Sequence, residues 1–134
     1  NVVLTRVDDS FISLYERPFL ANHLFCNLFI SIHTNNHTNY NVNGIEVYYH
    51  PGRTEAKHLA EKVQQHLVSK TKLRDRGVRA DDFCVTRETQ MPSILIELGY
   101  LSNFQEESLL KTSEFRSKAA EAIFEGIMEY SNGK

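Results

Sequence analysis

Two short apolar runs set the limits on what this chain can become. Leu28-Phe29-Ile30-Ser31-Ile32 leads into His33-Thr34-Asn35, and Ser93-Ile94-Leu95-Ile96 leads into Glu97-Leu98-Gly99-Tyr100. Both are short, β-rich and almost continuously apolar, the pattern of strands buried on both faces of a parallel sheet. Each also carries one reactive side chain toward its carboxyl end. Ligands of open α/β sheets bind outside the carboxyl ends of the strands, so His33 and Glu97 are expected at one cleft.

The segments around these runs alternate in type. Asn1 to Arg6 reads as a strand, and Asp8-Asp9-Ser10 as a turn. Ser13-Leu14-Tyr15-Glu16 has capping-box spacing and predicts a helix to about Phe25, with Pro18 in its first turn. Thr34 to Gly44 is polar and Asn-rich, a loop placed to wall the cleft. Ile45 to Tyr49 resumes as a strand. Thr54 caps a helix whose residues Ala56, Leu59, Ala60, Val63 and Leu67 share one face. The charged stretch Lys72 to Asp82 reads as a loop, Phe83 to Thr86 as a short strand, and Arg87 to Met91 as a loop. Asn103-Phe104-Gln105-Glu106 has capping-box spacing again. A final helix carries Phe115, Ala119, Ala122, Ile123, Gly126, Ile127 and Tyr130 on one face and stops at Asn132-Gly133. Strands alternating with helices predict an α/β single domain, a mostly parallel twisted sheet flanked by helices on both faces.

Composition narrows the function classes. A net charge of −2 argues against an electrostatic nucleic-acid binder. No apolar run approaches the roughly 20 residues of a membrane span, and the first residues lack the basic start and apolar stretch of a signal peptide. At 134 residues a sizeable core is available. The two cysteines, Cys26 and Cys84, lie in or beside apolar runs and read as buried free thiols.

Glu97 is the least comfortable residue in this sequence. A carboxylate in an apolar strand needs a cation, a metal-bound partner or a raised pKa. A structural ion pair with Arg87 or Arg76 accounts for it as well as catalysis does. His33, taken alone, reads as a hydrogen-bonded histidine at a strand end. Glu46, in Asn43-Gly44-Ile45-Glu46-Val47-Tyr48-Tyr49, reads as a structural or rim residue.

Five blocks in order carry more weight than any one of them. L-T-R-V-D-D at the start, S-I-H-T-N at 31–35, N-G-I-E-V-Y-Y at 43–49, D-R-G-V-R at 75–79 and M-P-S-I-L-I-E-L-G-Y-L-S-N at 91–103 make the chain resemble, over essentially its whole length, the zinc-dependent N-acetylmuramoyl-L-alanine amidases of bacterial cell-wall turnover and phage lysis. The resemblance implies hydrolysis of the amide between N-acetylmuramic acid and L-alanine of the stem peptide. It implies Zn2+ held by two histidines and a glutamate, with His33 as one ligand and Glu97 as the catalytic carboxylate. Such a metal leaves a position for water, lowers its pKa toward ~7 and polarises the carbonyl. Glu97 would take the water's proton and pass it to the leaving nitrogen.

The family's other two ligands, a histidine in a G-H pair and a glutamate near the first long helix, have no counterpart here. The expectation is therefore an amidase domain over residues 1–134 that lacks the family's first strand and helix, with an incomplete zinc site and with sheet edge and core surface uncovered where those elements pack. Of the remaining histidines, His37 beside His33 is the local substitute, whereas His23, His58 and His66 fall on helices. Asn35, Arg76 and Arg87 are candidate substrate contacts, the arginines (Arg79 with them) through bidentate contacts to peptide carboxylates. The implied partners are peptidoglycan or muropeptides, with no nucleic acid and no membrane span, for a monomer acting in the cell wall or periplasm. The alternative is an inactive muropeptide-binding module of the same fold, or a scaffold derived from it.

Overall fold

The computed structural model describes residues 1–133. Its centre is a sheet of four strands, β1 (Phe29–Asn35), β2 (Ile45–Tyr49), β3 (Asp75–Ala80) and β4 (Ser93–Tyr100), in the spatial order β1-β4-β2-β3. β1 pairs with β4 in parallel, β2 with β3 in parallel, and β2 with β4 antiparallel. Two of the three pairings are parallel and one is antiparallel, so the expected sheet is present as a mixed one with a parallel majority. The carboxyl ends of β1 and β4 meet the amino ends of β2 and β3.

The two faces of the sheet are built differently. Ile45, Val47, Ile94 and Ile96 point to one side and are fully buried. There they meet Leu59, Ala60, Val63 and Leu67 of α2 (Thr54–Thr71) and Phe115, Ala119, Ala122 and Ile123 of α5 (Ser113–Asn132). The helical stripes expected from the sequence are the buried ones. Helices α2 and α5 approach so closely at Gly126 that a Cβ there would sit 2.7 Å from the Val63 Cα. The other face is thinner. Phe29 and Leu95 pack with Ala21, Val85 and Met91, supplied by α1 (Glu16–His23), α3 (Cys84–Arg87) and the loop after it. That cover ends before the far side of the sheet, where polar residues replace apolar ones.

Several local expectations change. Asn1 to Arg6 forms no strand: it joins no ladder, and Val2 is 87% exposed, so its β-rich composition finds no partner. The Lys72–Asp82 stretch is not all loop. Asp75–Ala80 is the edge strand β3, too exposed to need apolar alternation. Phe83 to Thr86 is not a strand, since Cys84–Arg87 coils into one helical turn that buries Val85 and Thr86. β1 is longer than its apolar run, so His33 lies within the strand. It is the other edge, and Ile32 on it is 56% exposed. The Ser13–Glu16 capping box forms in both directions, at 2.9 and 3.3 Å. At α4 (Phe104–Leu110) only the forward half forms, because Asn103 accepts from Gln105 and Glu106 while the Glu106 carboxylate turns elsewhere.

Candidate active site

Register brings the chemistry together. His33 on β1 is level with Glu97 on β4, and Glu97 is level with Glu46 on β2. Residues level on neighbouring strands project to the same face. The three side chains therefore form a polar row across the sheet, just beyond the thin apolar cluster. One residue later the β1–β4 register slips, with Asn35 opposite Tyr100. The extra residue of β4 is accommodated at Gly99, whose φ of 144° suits glycine and not a side-chain-bearing residue. A bulge of this kind beside a cleft re-aims the side chains next to it.

Glu97 is partly buried, and its Oε2 is shielded from solvent without a hydrogen-bond partner among the described residues. Neither Arg87 nor Arg76 pairs with it. Burial, reinforced by the neighbouring Glu46 charge, pushes its carboxyl up from 4.5 to about 7. His33 is held the opposite way. Burial, then the positive charges of Arg17 and Arg6, lower its pKa and favour the neutral imidazole. Its Nε2 lies 2.8 Å from the Ser31 hydroxyl, leaving Nδ1 without a partner among the described residues. A carboxyl able to exchange a proton near neutrality thus stands beside an imidazole in its ligating form.

Glu46 is the structural anchor of the row, at 1% exposure. Its Oε1 accepts from the Tyr100 hydroxyl and from Asn35 Nδ2 at 3.2 Å. Its Oε2 lies 3.4 Å from Arg76 Nε and 3.2 Å from Arg79 Nε, ionic contacts outside hydrogen-bond geometry. Burial alone would raise this carboxyl, but Tyr100, Arg76 and Arg79 outweigh it and hold it below the usual range. Burial, then Glu46, drives the Tyr48 hydroxyl in the same neighbourhood up to about 12, so it stays protonated.

Of the expected site residues, the structure gathers His33, Glu97, Asn35 and Arg76. The polar groups of Asn35 and Arg76 turn inward: Asn35 to Glu46 and the Asn36 amide, Arg76 to Glu46, the Asn43 carbonyl and the Tyr100 ring. Arg87 lies at the opposite end of β4, paired with Asp82 and Glu88, and the structure does not bring it to the row. His37 spends its Nδ1 on the Asn39 amide, and His66 pairs with Glu125 and Glu129 between α2 and α5. Cys26 and Cys84 are free, partly buried thiols. Glu46 carried the same signal as Glu97, an acid inside an apolar strand.

The donor set can be compared with what a catalytic zinc requires, three protein ligands and an open position. Among the described residues no group of three His, Cys, Asp or Glu side chains is arranged to hold a metal ion. His33 supplies one imidazole, and Glu46 is already committed to two arginines. The described residues alone do not make a zinc site.

Residues 1–129 match the family described as N-acetylmuramoyl-L-alanine amidase. The chain is 39% identical over 132 residues to the uncharacterized protein YqiI of Bacillus subtilis (strain 168), covering 97% of this chain and 64% of YqiI. It is 39% identical over 130 residues to the N-acetylmuramoyl-L-alanine amidase LytC of the same organism, covering 96% of this chain and 26% of LytC. The chain therefore spans less than two thirds of either relative. Its fold superposes on the crystal structure of N-acetylmuramoyl-L-alanine amidase from Clostridium difficile 630 with a TM-score of 0.97 and 40% identity, over 100% of this chain and 73% of that one. The catalytic domain of CwlV, the amidase from Bacillus (Paenibacillus) polymyxa var. colistinus, superposes with a TM-score of 0.94 and 42% identity, over 100% and 74%.

Proposed function

The chain belongs to the N-acetylmuramoyl-L-alanine amidase family, and on that footing we propose that it hydrolyses the amide joining N-acetylmuramic acid to the L-alanine of the peptidoglycan stem peptide. The observation that carries this reading is Glu97: a shielded, unpaired carboxyl, level with a neutral imidazole, toward the carboxyl ends of two parallel strands but within both. Its ionised form removes a proton from the attacking water. Its protonated form then delivers that proton to the nitrogen of the departing L-alanine, which must leave as an amine. The raised pKa suits both halves of the cycle, because one group near neutrality serves as base and then acid.

Glu46, Asn35 and Arg76 form the wall that holds this face in shape; Asn35 and Arg76 border the substrate while their polar groups secure Glu46. Zinc is the cofactor we propose, with His33 as one ligand. The ligand set is not completed by the described residues, so each proton transfer here is assigned to side chains alone. The cell wall is the proposed site of action, in keeping with the family's substrate. No helix among the described residues is long and apolar enough to cross a membrane.

The test is direct. The purified chain, with and without added zinc, is incubated with an N-acetylmuramoyl-L-alanyl peptide, and new L-alanine amino termini are counted. Release of these termini supports the reading, and its dependence on added zinc supports the proposed cofactor. Binding of the peptide with no release under either condition overturns the reading.

A further inference from the structure

Glu46 is shared by two guanidinium groups, so one buried negative charge faces two positive ones. The wall beside Glu97 therefore carries surplus positive charge. The two arginines are not equivalent. Arg76 is only 21% exposed, stacks on the Tyr100 ring and gives Nη1 to the Asn43 carbonyl. Arg79 is 50% exposed, turns its Nε to Glu46 and has nothing on its terminal nitrogens among the described residues. A guanidinium tethered by its inner edge and open at its outer edge is pre-oriented to grip a carboxylate with two parallel hydrogen bonds.

Its place along the sheet sets which carboxylate it meets. Arg79 is level with Tyr48 on β2, two residues along from Glu46, but its Nε reaches back to Glu46, which is level with Glu97 across β2. Two strand spacings are roughly 10 Å, the reach of about three residues of extended peptide. We propose that Arg79, positioned by Glu46, is a specificity-determining residue that binds a carboxylate of the substrate peptide two or three residues beyond the scissile amide. The inference rests on the amidase reading, because the carboxylate it assigns to Arg79 belongs to the peptide freed at Glu97. Glu46 is a positioning residue here, and Arg79 touches substrate.

Two N-acetylmuramoyl-L-alanyl peptides separate the possibilities, one with a free carboxylate at its second or third residue and one with the carboxamide there. The wild type should prefer the carboxylate peptide by about tenfold in kcat/KM, the scale of one charge-assisted contact. Arg79→Gln should erase that preference through KM, and Arg79→Lys should restore part of it. Equal use of the two peptides by the wild type, or a preference that survives in Arg79→Gln, overturns the assignment. Calorimetric Kd values for both peptides on both proteins give the same comparison without turnover. Absent hydrolysis therefore counts against the amidase reading, and unaltered binding discrimination counts against Arg79.

Discussion

His33 and Glu97 stand opposite each other on neighbouring parallel strands, the last level pair before the ladder slips between His33 and Asn35. Neither is at a loose strand end. The two are paired with each other in the ladder, and Glu97 is paired with β2 as well, so their separation is set by sheet geometry rather than by loop conformation. Glu46 extends the row and contributes charge without sharing a proton.

Replacing Glu97 by Gln should lower the release of L-alanyl peptides by about 10²–10⁴-fold, the usual contribution of a positioned acid–base group. The fold should survive, because Oε2 has no partner to lose. A thermal melt at pH 8 should show a midpoint no lower than that of the wild type. A collapsed melt would instead identify Glu97 as half of a structural pair.

The raised carboxyl also predicts two pH dependences. Activity should rise with pH and reach half its plateau near 7, as the base form of Glu97 accumulates. Stability should move the other way. Burial favours the neutral acid in the folded state, so between the ordinary value of 4.5 and about 7 the native chain holds a proton that the unfolded chain has released. Stability therefore falls as pH rises through that window. Denaturant melts of wild type and Glu97→Gln at pH 4.5 and 7.5 isolate this contribution from that of His33, whose lowered pKa acts in the opposite direction. The wild type should lose stability relative to the variant between the two pH values.

The parts of this molecule that were legible in sequence are those in which one residue's neighbours in the chain determine its environment. The stripe of α2 and α5, strand β2 and the Ser13–Glu16 box are of that kind. Asp75–Ala80 was not, because an edge strand whose residues are half charged owes its form to β2 beside it, and its irregularity at Gly77 is held by the Asp75 carboxylate. Val85 and Thr86 mislead in the opposite sense: β-branched residues sit in a helical turn because both are buried there. At the site, His33 and Glu97 could each be singled out as a polar residue at the end of an apolar run. The inward commitment of Asn35 and Arg76 could not, since both contacts are made to a carboxylate on another strand. Arg87 shared its residue type with Arg76 and Arg79, and only the direction of β4 separates them.

Gly126 offers a test of the packing that supports the sheet. A methyl group there would lie 2.7 Å from the Val63 Cα, and backbone cannot swing aside as a side chain can. Gly126→Ala gains helix propensity but must push α5 from α2. Overpacking of this kind costs about 1–3 kcal/mol, more than the ~1 kcal/mol propensity gain. A lower denaturation midpoint with an unchanged slope is expected, and a stabilised variant would show that the helices have slack.

Glu106 joins the loop wall to the strand that carries Glu97. One carboxylate oxygen accepts from the Gly44 amide and the other from the Tyr100 amide, each at 2.7 Å, and the side chain is almost fully buried. The end of the Asn-rich loop is thereby fixed to the end of β4. Glu106→Ala leaves two buried N–H groups without acceptors, at about 1–3 kcal/mol each. Glu106→Gln should be nearly as damaging despite its matching shape, because its amide nitrogen would present a donor to one of two donors. Both variants should lower stability in denaturant melts, and both should speed hydrogen exchange at the Gly44 and Tyr100 amides ahead of global unfolding. Turnover should fall mainly through KM, since Glu97 and His33 remain in register while the loop beside them loosens. A Gln variant with wild-type exchange at Gly44 would show that one acceptor suffices and that the loop is held by other contacts.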